Sequence, residues 1–216
     1  MPRDGTDTRV RLLEEAERLF ASRGVYQATV REIIEAAGQK NVSALTYHFG
    51  SREGVLLAIL TRHGDAADEQ RGRLIVDPID TMDTRELVAA LLVPMAAELG
   101  TPSGRNYLRI VAQLAARYQP WRRDALNPPQ LRRALAELQA RASVADVETQ
   151  RARVMSVIML MTSTMADRAR ALEEGAAVDL EEETFLANLA DMIVAALTAA
   201  RGPRLDSTAV AQLRSS

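Results

Sequence analysis

The chain has 216 residues, 47% of them hydrophobic, enough for one large domain or for a small domain joined to a larger one. It contains no cysteine, which excludes disulfides, thiol catalysis and cysteine-based zinc sites. The net charge of −2 does not by itself mark a nucleic-acid binder, although the first 64 residues carry +1 and the remainder −3. Aromatics make up only 4% of the chain and period-two alternation is not sustained anywhere, so an all-α fold of about nine helices is expected. The N-terminus, MPRDGTDTRVRLLEEAERLF, is charged and amphipathic rather than an apolar leader. The longest apolar stretch elsewhere, near Val157 to Met161, is too short to cross a bilayer. A cytoplasmic protein without a membrane partner is the expectation.

The first helix is predicted over about Thr8 to Ser22, with Leu12, Leu13, Ala16, Leu19 and Phe20 on one stripe and Gly24 as its stop. Thr29 and Glu32 have the spacing of a capping box at the start of a second helix. Val30, Ile33, Ile34 and Ala37 face inward along it, and Gly38 ends it. A turn over Gln39 to Val42 leads to a short third helix, Ser43 to Phe49. Ser51 caps a fourth, with Val55, Leu56, Ile59 and Leu60 on its apolar side.

Pro78 and the Asp and Thr residues between Val76 and Thr84 mark a connection. Four regions follow: a helix-turn-helix domain over 1–50, a connecting helix over 51–75, a larger helical domain over 76–202 and a tail over 203–216. Asp83 and Glu86 open a fifth helix that stops at Gly100. A sixth runs from about Ser103 to Arg117, and Pro120 begins a loop. Asn127-Pro128 starts a seventh, to about Ala142. The eighth extends from about Val144 to Glu174. The ninth starts after Asp179 and stops before Gly202-Pro203.

The second and third helices have the outline of a helix-turn-helix, in which the second helix of the pair enters the major groove. Outline alone also fits an ordinary helical hairpin. The residues carry more. The run from Arg18 to Leu56, "RLFASRGVYQATVREIIEAAG" and then "SALTYHFGSREGVL", resembles the N-terminal domain of the tetracycline-repressor (TetR) family of bacterial regulators. The shared features are Leu-Phe and a Gly closing the first helix, and Thr opening the second with Ala-Gly closing it. An aromatic-x-His-Phe-like end to the third helix and a Ser cap before the fourth complete the set. They occur in order over roughly a quarter of the chain. The turn after Gly38 is one residue longer than the family's usual one, and Thr46 stands where many members have a tyrosine.

The resemblance implies double-stranded DNA as partner and assigns roles. Thr29 would hold a phosphate at the positive end of the second helix. Tyr47 and His48 would touch backbone phosphates, and Arg52 would be a further phosphate clamp. Lys40, Asn41, Ser43 and Thr46 are candidates for base edges, since Asn pairs bidentately with adenine and the Thr methyl meets that of thymine. Packing and capping are the alternative uses of the same side chains.

Apolar residues surround the eighth helix between Val154 and Met165, which predicts burial on all sides. The ninth carries two apolar stripes and so calls for two partners. Val154, Ile158, Met161, Met165, Leu186, Ala190, Val194 and Leu197 are the candidate interface of a homodimer, as the resemblance also implies. A two-fold dimer would present two recognition helices to a palindromic operator. Met95, Tyr107, Val111, Leu114, Tyr118, Trp121, Met155, Met159 and Thr162 are candidates to line a pocket for a small apolar or amphipathic effector, with Arg105 or Arg109 facing any acidic group. Such an effector would release DNA by shifting the fourth helix. No cofactor or metal is expected: His48 and His63 follow Leu45 and Leu60 at three residues, so the Glu-x-x-His pairs of a di-iron bundle are absent. The expected function is therefore a ligand-responsive repressor rather than an enzyme. A helical interaction module without DNA binding is the other reading of these residues.

Overall fold

The computed structural model describes residues 3–115, 117 and 127–202. The expected tail and the loop after Pro120 fall outside them. Among the described residues all regular structure is helical: α1 Arg3–Arg23, α2 Val30–Ala36, α3 Ser43–Phe49, α4 Arg52–Leu74, α5 Thr84–Ala97, α6 Pro102–Ala115, α7 Pro129–Arg141, α8 Val147–Glu173 and α9 Glu182–Thr198. Short 3-10 turns at Ile79–Thr81 and Glu98–Gly100 precede and follow α5. The first helix starts five residues before the expected Thr8; Asp7, near its start, favours its positive end.

Two cores form. Leu12, Phe20, Ile33, Leu45, Val55 and Ile59 bury one another in the N-terminal cluster. Leu87, Leu91, Leu108, Leu138, Met165 and Leu189 belong to the larger cluster. Each such side chain contributes about 1.5–3 kcal/mol by leaving water. The two clusters are joined by more than α4. Helix α6 places Leu108 in the larger core and Ile110 in the N-terminal one. Three residues on, Gln113 accepts from the Val25 N–H at 2.6 Å and donates to the Phe20 carbonyl at 3.1 Å. The turn between α1 and α2 is thereby tied to the body of the protein.

Local sequence sets the angle of the N-terminal helices. Thr29 caps α2 with the full capping box: its hydroxyl accepts from the Glu32 N–H, and the Glu32 carboxylate accepts from the Thr29 N–H at 2.8 Å. At the other end Gly38 has φ +68°, and Gln39 N–H reaches back to the Ile34 carbonyl at 2.9 Å. This left-handed stop turns the chain sharply, and a Cβ there would be strained. Asn41 then braces the turn into α3, its Oδ1 accepting from Ser43 N–H at 2.9 Å. A Cβ on Gly54 would lie 1.9 Å from the Phe49 carbonyl oxygen, so only glycine lets α4 begin this close under α3.

The two last helices differ from expectation. Helix α8 is not buried all round: Val154, Val157, Ile158, Met161 and Met165 face the core, while Ser156, Met159 and Ser163 face outward. Helix α9 has one inward stripe, Leu189, Ala190, Ile193 and Leu197, and exposes Met192, Ala195 and Ala196. It begins after Glu181 rather than directly after Asp179. Helix α7 takes its cap from elsewhere in the fold: the Asp68 carboxylate of α4 accepts from the Gln130 and Leu131 N–H groups at 3.0 and 2.8 Å.

Candidate nucleic-acid interface

Helix α3 is seven residues long and held by one side. Leu45 is buried against the N-terminal core and Phe49 is half-buried beside it. With this face inward, the helical period turns Ser43, Thr46 and Tyr47 out. All three are exposed, and Tyr47 is 84% exposed. Lys40 and Asn41, in the preceding turn, are exposed as well. The structure thus brings five of the eight expected DNA-contacting residues onto one outward surface. His48 is half-buried at its edge, its ring 4.9 Å from that of Tyr47 and 6.3 Å from that of Phe49.

Three assignments change in detail. Arg52 is not a free phosphate clamp. Its guanidinium turns inward, donating from Nε to the Ala28 carbonyl at 2.8 Å and from Nη2 to the Val25 carbonyl, and it lies 4.8 Å from the Phe20 ring centroid. The side chain is 19% exposed and locks the start of α4 to the α1–α2 turn. Thr29 is exposed, but its hydroxyl is engaged with Glu32, whose carboxylate already occupies the positive end of α2 where a phosphate was expected. Hydrogen bonds from the Thr29 backbone and hydroxyl hold the Glu32 carboxyl below its ordinary range. Asn41 commits one lone pair of its Oδ1 to the Ser43 N–H, which fixes the side chain's direction and leaves the other lone pair and the amide N–H groups for a base edge.

Among the described residues, the expected effector side chains occupy core, half-buried and exposed positions. Met95 and Thr162 are core residues, and the Thr162 hydroxyl donates to the Ile158 carbonyl of its own helix at 2.8 Å. Met159 is 44% exposed on the outer face of α8. Leu114 packs on the N-terminal core, Val111 and Met155 are half-buried, and Tyr107 stacks on His63. Tyr118 and Trp121 lie outside the described residues. Arg105 is engaged by Glu173 at 2.8 Å and by the Leu99 carbonyl at 3.0 Å. An open cavity of about 380 Å³ lies elsewhere, between the end of α4 and α5, walled by Leu74, Val76, Met82 and Val93 with Glu86 in its lining. The expected interface residues also turn inward: Val154, Ile158, Met161, Met165, Ala190 and Leu197 are buried within one chain, and Leu186 and Val194 are half-buried against the same core.

One polar cluster escaped the sequence reading. Glu17 of α1 is buried, and Ser103 donates to it at 2.7 Å while Arg62 pairs with it. His63 sits between Glu17 and Glu98, its Nδ1 2.8 Å from Glu98, with its ring stacked on Tyr107 at 4.6 Å between centroids. Burial pushes the imidazole toward neutrality, but hydrogen bonds to Glu17 and Glu98 win and raise its pKa to about 9. The cluster joins α1, α4, the Glu98–Gly100 turn and α6. Its one signal in the sequence was Glu17, which shares the apolar stripe of Leu13, Ala16 and Phe20.

No group of three or more His, Asp or Glu among the described residues is arranged to hold a metal ion, and no described helix is long and apolar enough to cross a membrane. Residues 12–59 match the family model of bacterial regulatory proteins, tetR family. Over 54 residues, 25% of this chain, the sequence is 44% identical to the HTH-type transcriptional repressor AcnR of Corynebacterium glutamicum, and the match spans 28% of that relative. The fold is similar to NalD, the secondary repressor of the MexAB-OprM multidrug efflux pump in Pseudomonas aeruginosa, with TM-score 0.53 and 20% identity over 91% of this chain and 98% of NalD. It is also similar to a Shewanella sp. PV-4 chain assigned to the tetR family of transcription regulators, with TM-score 0.54 and 16% identity over 86% of this chain and 95% of that one. At these identities the structural likenesses establish the fold, and the sequence match is confined to the N-terminal region: residues 12–59 form a domain of the tetR-family type.

Proposed function

We propose that this protein is a repressor that binds double-stranded DNA as a homodimer on a palindromic operator, with α3 in the major groove. The observation that carries the reading is the outward face of α3, where Ser43, Thr46 and the 84% exposed Tyr47 stand on a helix pinned from behind by Leu45. A bare tyrosine offers an O–H donor to a phosphate, and the small side chains beside it fit base edges. Repression is the activity named for AcnR and NalD, which supports that sign here. A protein working on bacterial DNA works in the cytoplasm.

The second copy is proposed to cover the outer faces of α8 and α9 rather than the side chains expected from sequence. Met159 and Ser163 on one helix and Met192 and Ala195 on the other are exposed, and each is apolar or small. Effector response, to a small apolar or amphipathic molecule, is proposed to act through α4. That helix packs on α1 and α3 at one end and on α5 and α7 at the other. A displacement of α4 changes the separation of two α3 helices in a dimer and so the fit to an operator.

The test is a titration of the purified protein into duplexes from the region upstream of its own gene, read by fluorescence anisotropy. Specific binding at near-physiological salt that weakens on Tyr47→Ala is expected. Absence of binding to any duplex at low salt would leave an interaction module as the better reading.

A further inference from the structure

The inward turn of Arg52 leaves the end of α3 without the cation expected there, and the structure supplies another. Arg9 of α1 is exposed, and its guanidinium carbon lies 4.9 Å from the centroid of the Phe49 ring. Phe49 is the last residue of α3, two after Tyr47 and next to His48. Phe49, His48 and Tyr47 follow one another ring to ring, so Arg9 stands at the flank of the surface proposed to meet DNA.

Among the described residues, Arg9 shares its lack of an ion pair with the exposed Arg11 and Lys40, and differs from them in lying over an aromatic ring. Arg18, Arg23 and Arg31 are each paired with a carboxylate, of Glu15, Glu32 and Glu35. Arg9 has no carboxylate within ion-pair distance among the described residues. Its charge is therefore not cancelled locally. The side chain is also held in place. The contact with the Phe49 ring uses no N–H···O bond, so the guanidinium keeps its N–H donors for two phosphate oxygens. The backbone beneath is fixed too, because α1 starts at Arg3, about 9 Å of helix axis before Arg9 at 1.5 Å per residue. A cation that is unpaired, exposed and restrained beside a DNA-facing helix loses little freedom on meeting a phosphate.

We propose that Arg9, held over Phe49, is a phosphate-binding residue that clamps the duplex alongside α3 in the place that Arg52 does not fill. This rests on the DNA-binding reading above. It adds affinity without sequence preference, since a phosphate contact positions the protein and carries no base information.

The experiment measures binding of wild type, Arg9→Gln, Arg9→Lys and Tyr47→Ala to an upstream duplex and to a scrambled duplex of equal length, between 50 and 200 mM salt. Each phosphate neutralised contributes about 0.9 to the slope of log affinity against log salt. Arg9→Gln is expected to weaken both duplexes by the same factor and to reduce the slope by about 1.8, about 0.9 for each copy of Arg9 in the dimer. Arg9→Lys keeps the slope but binds less tightly than wild type, because an ammonium neither forks nor stacks as well. An unchanged melting temperature for Arg9→Gln shows that the fold is not the cause. If wild type binds, Tyr47→Ala weakens it, and Arg9→Gln leaves the slope unaltered, Arg9 is not a clamp although the DNA reading stands. If wild type binds neither duplex at any salt, both fall.

Discussion

His63 Nδ1 lies 2.8 Å from the Glu98 carboxylate, and this contact closes a polar cluster that joins α1 and α4 to the start of α6. On the imidazole's other side, Nε2 is 3.5 Å from Glu17, with Arg62 and Ser103 sharing that carboxylate and Tyr107 stacked on the ring. Hydrogen bonds to Glu17 and Glu98 and their charges outweigh burial and raise the imidazole pKa from an ordinary 6.5 to about 9, which favours the charged ring at neutral pH. The folded state holds this proton more tightly than the unfolded chain. Its stabilisation is therefore complete below pH 6.5 and is lost as pH rises through 9. The size is about 2–3 kcal/mol, or roughly 5–10 °C in Tm for a chain of this length. Melting curves from pH 6 to 10 should show that fall in wild type and a much flatter alkaline limb in His63→Gln. Equal slopes in the two proteins would show that another group carries the alkaline loss.

Arg52→Ala is expected to damage the fold, not the charge balance at DNA. It removes hydrogen bonds to the Val25 and Ala28 carbonyls and the cation over Phe20. A charged hydrogen bond of this kind contributes about 1.5–3 kcal/mol, so chemical denaturation should show a loss of about 2–4 kcal/mol. Arg52→Lys should recover little of it, because one ammonium does not span two carbonyls as the guanidinium does. Measured well below the melting temperature, the salt slope of DNA binding should remain at the wild-type value in Arg52→Ala, which removes the charge. A slope lowered by about two, about one for each protomer, would return Arg52 to the phosphate-contacting set.

The contrast between Arg52 and Tyr47 shows what local sequence holds and what it does not. Helix identity, the capping boxes at Thr29 and Asp83, and the outward setting of Thr46 and Tyr47 follow from period and cap chemistry within a few residues. These were legible because the deciding atoms are neighbours in the chain. The direction of Arg52 is decided by carbonyls 24 and 27 residues away, at Ala28 and Val25. The cap of α7 comes from Asp68, more than sixty residues earlier. The faces of α8 and α9 depart from expectation for a related reason. Both helices carry apolar residues on several sides, so pattern alone does not choose which side meets the core. Packing against α6 and α5 chooses it, and leaves Met159 and Met192 outside.

The cap from Asp68 makes a sharper prediction than most buried carboxylates allow. Its oxygens accept from Gln130 and Leu131 N–H groups and from Arg71 at 2.7 Å, and both charged side chains are buried. Asp68→Ala strands a buried guanidinium and two helix-end donors together, a loss of about 3–5 kcal/mol. Asp68→Asn keeps an acceptor for the helix end and should lose less. Hydrogen exchange should accelerate first at the amides of 130 and 131 in either variant, ahead of the N-terminal helices. Exchange that instead rises evenly along the chain would mean that α7 does not depend on this cap for its local stability.

The outer faces of α8 and α9 are tested by comparing two kinds of substitution on the same helices. Met159 and Met192 are 44% and 40% exposed in a single chain, so a charge at either position has water available and should not disturb the monomer fold. In a dimer built on these faces, the same charge is buried without a partner, which costs several kcal/mol per site and acts twice across a two-fold axis. Met159→Asp with Met192→Asp should therefore lower the mass in solution from twice 23.7 kDa to 23.7 kDa, measured by light scattering, with helical circular dichroism retained. DNA affinity should fall with it, since each half-site then binds alone. Leu197→Asp, on the buried stripe, should instead lose helical signal. A double variant that remains a dimer places the interface on some other surface, and a wild type that is monomeric at all concentrations removes the need for one.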